Sequence, residues 1–296
     1  MERYKTSRDD TLFDELSLVA SWSESSEEAT LYSKQLREAL DIPVYDATPN
    51  NTLFLSVADY VNPEKSTETF RLSAQYHGIK ITWASKGKEW EGFIQNKVEK
   101  ILQYLKEQAR NKKYAFVLDS ADVIFVKPLH EILDMFNRVY EGGVLFNSDH
   151  VLWPAPDSAL QWHINTNYGK NGIVNAGCYC GLISDIIKLL EQILSVRRQI
   201  KRKDYRQFCT KVFSASVLCG TEHTRQDSSG LLINDDQWLL HIMQYEVNPL
   251  IKLDSHKRLF AFVDSSDAAQ PRSIYDRNCT GTAGILHLSR IVHKRD

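Results

Sequence analysis

Short apolar segments alternate with longer amphipathic ones along most of this chain, and this pattern constrains the fold more than any other feature. Thr52–Ala58 and Tyr114–Leu118 are apolar and bounded by turn-forming residues, which is typical of buried strands. Between them, residues 92–109 carry apolar side chains at helical spacing. Strands that alternate with helices predict an α/β fold with a mainly parallel sheet, in which ligands bind at the carboxyl ends of the strands.

Composition excludes several classes of protein. The chain has 296 residues, is 43% hydrophobic and 25% charged, and has a net charge of -2, which excludes collagen, coiled-coil and disordered chains and argues against a surface that binds polyanions throughout. No apolar run is long enough to span a bilayer, and the first ten residues lack the apolar region of a signal peptide. The five cysteines show no metal or disulfide spacing. We therefore expect a protein that does not associate with membranes. We also expect it to lie in the cytoplasm or in another reducing intracellular compartment.

The domain organisation predicted from the sequence is an N-terminal extension over residues 1–50 and a single domain over residues 51–296. Within that domain, residues 196–232 read as a basic excursion from the core. Its candidate contacts with phosphate or acceptor are Arg197, Arg198, Arg202 and Lys203. A charge run is usually a solvated helix face, and the alternative is an arm that binds the phosphates of a nucleic acid.

An acidic pair, Asp119 and Asp122, directly follows the apolar segment Tyr114–Leu118. Carboxylates at the end of a buried strand are costly unless they are paired, hydrogen-bonded or bound to a cation. Oxygen ligands suit Mg²⁺ or Mn²⁺. The alternative is that one Asp merely caps the following turn.

Other candidates each have a structural and a functional interpretation. His287 ends another apolar segment and is either a core histidine or a ligand. Asp235 and Asp236 open a predicted helix, where they would face an anion-stabilising dipole or simply cap it. Asn175 begins a tight turn or bulge beside small residues. Trp90 would stack on a planar ring or fill the core.

Several motifs that bind phosphates or perform hydrolysis are missing from the sequence. It contains no Walker A motif, no Gly-x-Gly-x-x-Gly, no Gly-x-Ser-x-Gly and no His-Glu-x-x-His. An α/β sheet with an acidic pair at a strand end but no glycine-rich phosphate cradle fits a nucleotide-sugar site bridged by a metal ion. There the cation would neutralise the departing diphosphate.

Blocks of sequence occur in the order seen in one known family. These blocks are Thr52–Ala58, residues 88–92, 116–125, 144–154, 175–181, 235–237 and 251–260, and His287. Residues 88–92 read Lys-Glu-Trp-Glu-Gly, and the later blocks include Asp-Ser-Ala-Asp-Val-Ile-Phe and Asp-Asp-Gln. Together they resemble the glycosyltransferase domain of procollagen lysyl hydroxylases and the related collagen glycosyltransferases.

This resemblance implies a fold and a set of roles. The fold would be GT-A-like, that is, Rossmann-like, with a mixed, mainly parallel sheet flanked by helices. The activity would be metal-dependent transfer of a sugar from a nucleotide-diphosphate donor, most simply a UDP-sugar. Mn²⁺ or Mg²⁺ would be held by Asp119, Asp122 and His287. The residues implied to seat the donor are Ser56, Val57, Trp90, Lys97 and Asp119. Those implied to face the sugar and the acceptor, as catalytic residues, are Asn175, Asp235 and Asp236.

The sequence is compatible with several acceptors and with more than one activity. The acceptor would be a hydroxylated protein, a glycan or a hydroxymethylated base in DNA. One alternative is a module that binds a nucleotide sugar or a nucleic acid without turnover. Another is a metal-dependent phosphohydrolase or nuclease, since acidic pairs also serve phosphoryl chemistry. A third is a structural interaction protein whose acidic pair only caps a turn.

Overall fold

The computed structural model describes residues 45–60, 62–149, 152, 158–169, 172–200, 234–263 and 283–288. The chain divides into two units, Met1–Asp46 and Ala47–Asp296, and the fold below is that of the second unit. Most of the predicted extension over residues 1–50 lies outside the described residues. So do Arg202 and Lys203 of the basic excursion.

The described elements alternate as the sequence predicts. In chain order they are β1 (Thr52–Ala58), α1 (Pro63–Ser66), α2 (Glu68–Tyr76), β2 (Ile81–Lys86), a short π-helix (Phe93–Glu99, called the π-turn below), α3 (Lys100–Gln108), β3 (Tyr114–Leu118), β4 (Val123–Phe125), α4 (Leu129–Val139), β5 (Val144–Asp149), α5 (Ser158–Tyr168), β6 (Ile173–Leu182), α6 (Ile183–Ile200), α7 (Asp236–Tyr245), β7 (Ile251–Asp254), β8 (Phe260–Val263) and β9 (Ile285–Leu288).

A six-stranded sheet with the order β2-β1-β3-β6-β5-β7 forms the centre of this unit. β1 is parallel to β2 and β3, and β5 is parallel to β7, whereas β6 runs antiparallel to both of its neighbours. Five strands therefore point the same way, and their carboxyl ends share one edge. The predicted mixed, mainly parallel sheet flanked by helices is confirmed.

β1 and β3 are buried at every position, and since successive side chains point to opposite sides of the sheet, both faces of these strands are covered. On one face, Leu55 and Val57 join the core formed with α3, α6 and α7. On the other face, Phe54 stacks on Phe116 with the ring centroids 4.7 Å apart, and Phe116 packs on Phe136 of α4. This double burial explains why β1 and β3 read as continuous apolar runs.

A smaller sheet with the order β4-β9-β8 lies beside the carboxyl end of β3. β4 pairs antiparallel with β9, and Val123 lies opposite His287 in that pairing. The turn between β3 and β4 holds the acidic pair. The small sheet therefore brings His287, which is distant in sequence, next to Asp122.

Two local irregularities interrupt the regular elements, and the second is the bulge that the sequence offers as one interpretation of the segment after Asn175. Residues 92–109 read as one helix, but they begin with the π-turn and continue as α3. In β6, the pairing with β5 passes from Tyr179 directly to Asn175, so residues 176–178 bulge away from β5. The Gly177 carbonyl in this bulge accepts a hydrogen bond from the Asp119 amide at 2.8 Å.

The structure bears on two expectations about location, the absence of a membrane span and the presence of reduced cysteines. Within the described part of the chain, no helix combines the length and the apolar character needed to cross a membrane. Cys178 and Cys180 are buried free thiols, and burial raises the pKa of both well above the ordinary value. The reducing compartment stays a prediction.

Candidate active site

The predicted metal ligands come together at the carboxyl edge of the main sheet. Asp119 directly follows β3, Asp122 lies in the turn before β4, and His287 lies on β9. One ligand atom from each of the three side chains lies within 4.8 Å of the other two. Two carboxylates and an imidazole are ligands that Mn²⁺ accepts, so this donor set fits a divalent cation.

The electrostatics of this cluster also suit a cation. Asp122 Oδ1 is buried and lies 3.4 Å from His287 Nε2. Burial by itself would raise the pKa of Asp122, but the hydrogen bond and charge of His287 bring it below the ordinary value. Conversely, burial would lower the pKa of His287, and Asp122 outweighs burial and raises it. A bound cation would supply the positive charge that this arrangement otherwise takes from a proton.

The bulge in β6 makes room for the His287 ring. A Cβ atom added to Gly177 would lie 2.5 Å from both Cε1 and Nε2 of His287. Such a contact is far closer than non-bonded carbon atoms tolerate. Gly177 therefore lets the imidazole approach the backbone of β6, next to the Asp119 amide.

Lys97 joins the metal-ligand cluster to the predicted catalytic carboxylates. Its side chain is only 4% exposed, and its Nζ lies 2.8 Å from Asp119 Oδ1 and 3.1 Å from Asp236 Oδ2. The same ammonium donates a 3.0 Å hydrogen bond to the Ala176 carbonyl. Burial alone would lower the pKa of Lys97, but the two carboxylates outweigh it and hold that pKa well above the ordinary value. Burial raises the pKa of Asp119 further than the Lys97 ammonium lowers it.

Asp235 and Asp236 lie at the start of α7, as the sequence predicts. Asp235 caps the helix, and its Oδ1 accepts a hydrogen bond from the Trp238 amide at 2.9 Å. Burial, together with the charge of Asp236, raises the pKa of Asp235 to about 7. Gln237, which follows Asp236, accepts a 3.0 Å hydrogen bond from the Ala176 amide and so fixes α7 against the bulge.

Asn175 lies at the inner end of the same bulge. Its Oδ1 accepts a hydrogen bond from the Gly177 amide at 2.9 Å, and its Nδ2 donates to Asp149 Oδ2 at 3.4 Å. Asn147 lies opposite Asn175 in the β5–β6 pairing and is fully buried, yet neither its Oδ1 nor its Nδ2 has a hydrogen-bond partner. Asn147 was not among the candidates from the sequence.

The predicted donor-binding residues divide into two groups. Trp90 is 41% exposed on the loop before the π-turn, and its ring lies nearly parallel to Tyr60 and edge-on to Phe93. Ser56 and Val57 are buried in β1. The Ser56 hydroxyl donates to the Leu118 carbonyl at 2.5 Å, and the Val57 carbonyl accepts from Ser120 Oγ at 2.6 Å.

Several residues of the site were not found by sequence reasoning. Tyr60 was missed because it lies beyond the apolar run of β1, and only the fold brings its ring beside Trp90. Gly177 lies in the segment that the sequence predicts as a tight turn or bulge after Asn175. Its proximity to His287 depends on a strand pairing that no local pattern encodes.

Of the basic residues proposed to contact phosphate, the structure describes Arg197 and Arg198, both in the last turn of α6. Arg197 donates to Asn234 Oδ1 at 2.6 Å and lies 3.7 Å from Glu99 Oε1. Arg198 is exposed. The guanidinium of Arg197 is therefore engaged within the fold, beside the residue that precedes Asp235.

One known family matches this chain. The family described as the PLOD GT domain matches residues 49–230, which is more than half of the chain and includes Asp119 and Asp122. The match ends before Asp236 and His287, which the structure brings to the same cluster. No curated protein is similar enough to count as a match.

Proposed function

The chain belongs to the PLOD GT-domain family, the glycosyltransferase domains of procollagen lysyl hydroxylases, and is therefore a glycosyltransferase. From this premise we propose that it transfers a sugar from a UDP-sugar to a hydroxyl group of an acceptor, with a divalent cation at the Asp119, Asp122 and His287 cluster.

One observation carries this proposal. The metal-ligand cluster and the carboxylates at the start of α7 are joined by the buried ammonium of Lys97, which contacts Asp119 and Asp236. A divalent cation can neutralise the charge of a departing diphosphate, and a carboxylate can accept the proton of the acceptor hydroxyl. The Lys97 ammonium contacts one carboxylate of each group, so it holds the residues suited to the two tasks close together.

The roles of the residues follow from their chemistry. A divalent cation, Mn²⁺ or Mg²⁺, would neutralise charge on the departing diphosphate when bound. Asp119, Asp122 and His287 would hold that cation. Trp90 would offer an exposed aromatic face to the base of the nucleotide. Asn175 and Asp236 would face the sugar.

The transfer step exchanges one bond for another. The acceptor oxygen forms a bond to the anomeric carbon, and the bond from that carbon to the diphosphate oxygen breaks. Its electron pair leaves with UDP. The hydroxyl proton passes to Asp235, whose pKa of about 7 suits a group that takes up a proton near neutral pH.

We propose three acceptor classes: a hydroxylated protein side chain, a glycan hydroxyl, and a hydroxymethylated base in DNA. The family relationship favours a hydroxylated protein. The DNA acceptor depends on the basic excursion, of which Arg202 and Lys203 lie outside the described residues. A duplex base would have to be flipped out of the stack to react.

A transfer assay tests the proposal. The protein is incubated with a panel of UDP-sugars and each acceptor class, with Mn²⁺, with Mg²⁺ or with EDTA, and UDP release and acceptor mass are measured. We expect one UDP-sugar to be consumed only when a cation is present. Asp122→Asn should lower the rate about a hundredfold or more, since it removes a ligand. Asp134→Asn, which removes a surface ion pair with Arg138, is the matched control and should retain the rate.

Other outcomes would indicate the rival functions. Intact donor after long incubation, together with tight UDP binding, would indicate a binding module. Release of inorganic phosphate or cleavage of DNA strands without any sugar donor would indicate a phosphohydrolase or a nuclease.

A further inference from the structure

We propose that Asp59 and Asn96 form a buried clamp that fixes the Trp90 loop (residues 87–92) in the conformation that receives the base of the donor. This inference rests on the proposed function, because it assigns a positioning role toward a UDP-sugar. It concerns two residues that the sequence did not single out. Neither residue would touch the donor, and both would act through Trp90.

Asp59 supplies the first half of the clamp. It directly follows β1 and is fully buried. Its Oδ1 accepts hydrogen bonds from Ser85 Oγ at 2.9 Å and from the Lys88 amide at 3.1 Å. Its Oδ2 accepts from Asn96 Nδ2 at 2.8 Å. A carboxylate this deeply buried is tolerated only when donors surround it, and here one of those donors is the backbone of the Trp90 loop.

Asn96 supplies the second half. It is 3% exposed and lies in the π-turn. Its Oδ1 accepts from the amides of Glu91 and Gly92 at 2.6 and 3.2 Å, and its Nδ2 also donates to the Glu89 carbonyl at 2.8 Å. Asn96 therefore binds the loop backbone on both sides of Trp90.

Apart from Asp59 and Asn96, few of the described residues hold the Trp90 loop in place. Residues 87–91 are exposed, and Gly92 adopts a φ of 127°, which favours glycine. The Trp90 ring contacts Tyr60 and Phe93 but remains 41% exposed. An exposed loop of this kind would sample many conformations if its backbone groups were satisfied by water alone. The buried side chains of the clamp restrict it instead.

The clamp is also connected to the acidic centre. Asn96 and Lys97 are consecutive residues of the same π-turn, and Lys97 contacts Asp119 and Asp236. π-helical turns occur often at functional sites, where the extra residue reorients neighbouring side chains. Here the turn directs one side chain to the Trp90 loop and the next to the metal-ligand cluster. The face for the base and the site for the diphosphate are thereby held at a fixed separation.

An exchange of the two residues provides the sharpest test. Asp59→Asn places an amide donor against Asn96 Nδ2, and Asn96→Asp places a second carboxylate against Asp59, so each single variant breaks the contact between the two side chains. The double variant Asp59→Asn/Asn96→Asp restores that contact in reverse. It keeps the acceptors for Ser85 and Lys88, but it replaces the donor to the Glu89 carbonyl with a carboxylate oxygen, so the restoration is partial.

The first measurement is UDP affinity by calorimetry in the presence of Mn²⁺. Each single variant should bind UDP about tenfold more weakly, because the loop must then be ordered on binding. The double variant should recover part of that loss, through the restored contact between the two side chains. In a Trp90→Ala background, Asn96→Asp should cause no further loss, since the clamp acts through Trp90. A purely structural role would lower affinity equally in both backgrounds.

The second measurement is hydrogen exchange of the Lys88, Glu91 and Gly92 amides without any ligand. These amides should be protected in the wild type, exchange faster in the single variants and regain protection in the double variant. Asn137→Asp is the matched control, because Asn137 likewise accepts from one backbone amide and donates to one carbonyl, both of Ala47. It should leave both UDP affinity and the exchange of the loop amides unchanged.

Failure of the proposed function and failure of the clamp would give different results. Wild-type protein that binds no UDP would overturn the proposed function and this inference with it. Wild-type protein that binds UDP, together with single variants that bind it equally well, would overturn the clamp alone. So would a loss of affinity that the exchanged double variant fails to recover.

Discussion

Lys97 is a charged residue placed almost entirely out of water, in contact with two carboxylates and one carbonyl. The resemblance to a known family predicted Lys97 as a donor-binding residue, but residue patterns alone gave no reason to bury it. Its burial depends on Asp119 and Asp236, which reach it from β3 and α7. A partner set of this kind becomes visible only once the fold brings distant segments together.

Removing the Lys97 ammonium should destabilise the fold. Lys97→Met keeps the length of the side chain but leaves Asp119 and Asp236 without their buried counter-charge. We expect the free energy of unfolding, measured with urea in the presence of EDTA, to fall by about 3 kcal/mol. Lys106→Met is the control, since Lys106 pairs with Glu191 at the exposed surface and should cost less than about 0.5 kcal/mol. Equal stability of the two variants would contradict the role given to Lys97.

His241 predicts a pH dependence of stability. Burial lowers its pKa to about 4, and its Nε2 lies 3.1 Å from the Val174 carbonyl. In the unfolded chain, His241 binds a proton below its ordinary pKa of about 6.5. In the folded protein it stays neutral until the pH falls to about 4. The folded-state pKa is thus depressed, and the stability owed to neutral His241 is lost as the pH falls through this window.

The measurement is a comparison with His241→Gln, which does not titrate in this range. Between pH 7 and pH 4.5, the stability of the wild type relative to the variant should fall by about 2–3 kcal/mol in urea unfolding. Working with the difference removes the contributions of the other titrating groups, Asp235 among them. A difference that stays constant over this range would show that His241 is not buried as a neutral group.

At the scale of elements, the sequence predicted the strands better than their irregularities. β1 and β3 were recognisable because burial on both faces demands apolar residues at every position. The π-turn was not, and the bulge at residues 176–178 was only one of two interpretations of the segment that begins at Asn175, because each irregularity depends on a partner segment rather than on local propensity. These two irregularities position Lys97 and Gly177, so the sequence predicts the contacts of the site least well where regular geometry breaks down.

The bulge leads to a prediction about Gly177. An added methyl group would contact the His287 ring at 2.5 Å, so Gly177→Ala should displace the imidazole or the strand. We expect a loss of about 1–3 kcal/mol in the free energy of unfolding. In a His287→Ala background the same substitution should cost much less, because the ring is gone. A cost that is equal in both backgrounds would mean that Gly177 serves the backbone rather than His287.

At the scale of the whole molecule, the candidate site is assembled from both ends of the domain. The family match covers residues 49–230, and the small sheet and α7 add His287 and Asp236 from beyond it. The acidic pair was predictable from its place after an apolar strand. Residue patterns left His287 as either a core histidine or a ligand, and the resemblance implied its role as third metal ligand, since an isolated histidine in an apolar segment is usually a core residue.

The proposed function requires Asp119, Asp122 and His287 to bind a divalent cation together with the diphosphate of a nucleotide. The most direct test is a calorimetric titration of UDP into the wild-type protein and Asp122→Asn, each with Mn²⁺ and with EDTA. We predict that UDP binds the wild type only with Mn²⁺ and binds Asp122→Asn about a hundredfold more weakly. UDP binding of equal strength in all four titrations would contradict the metal site.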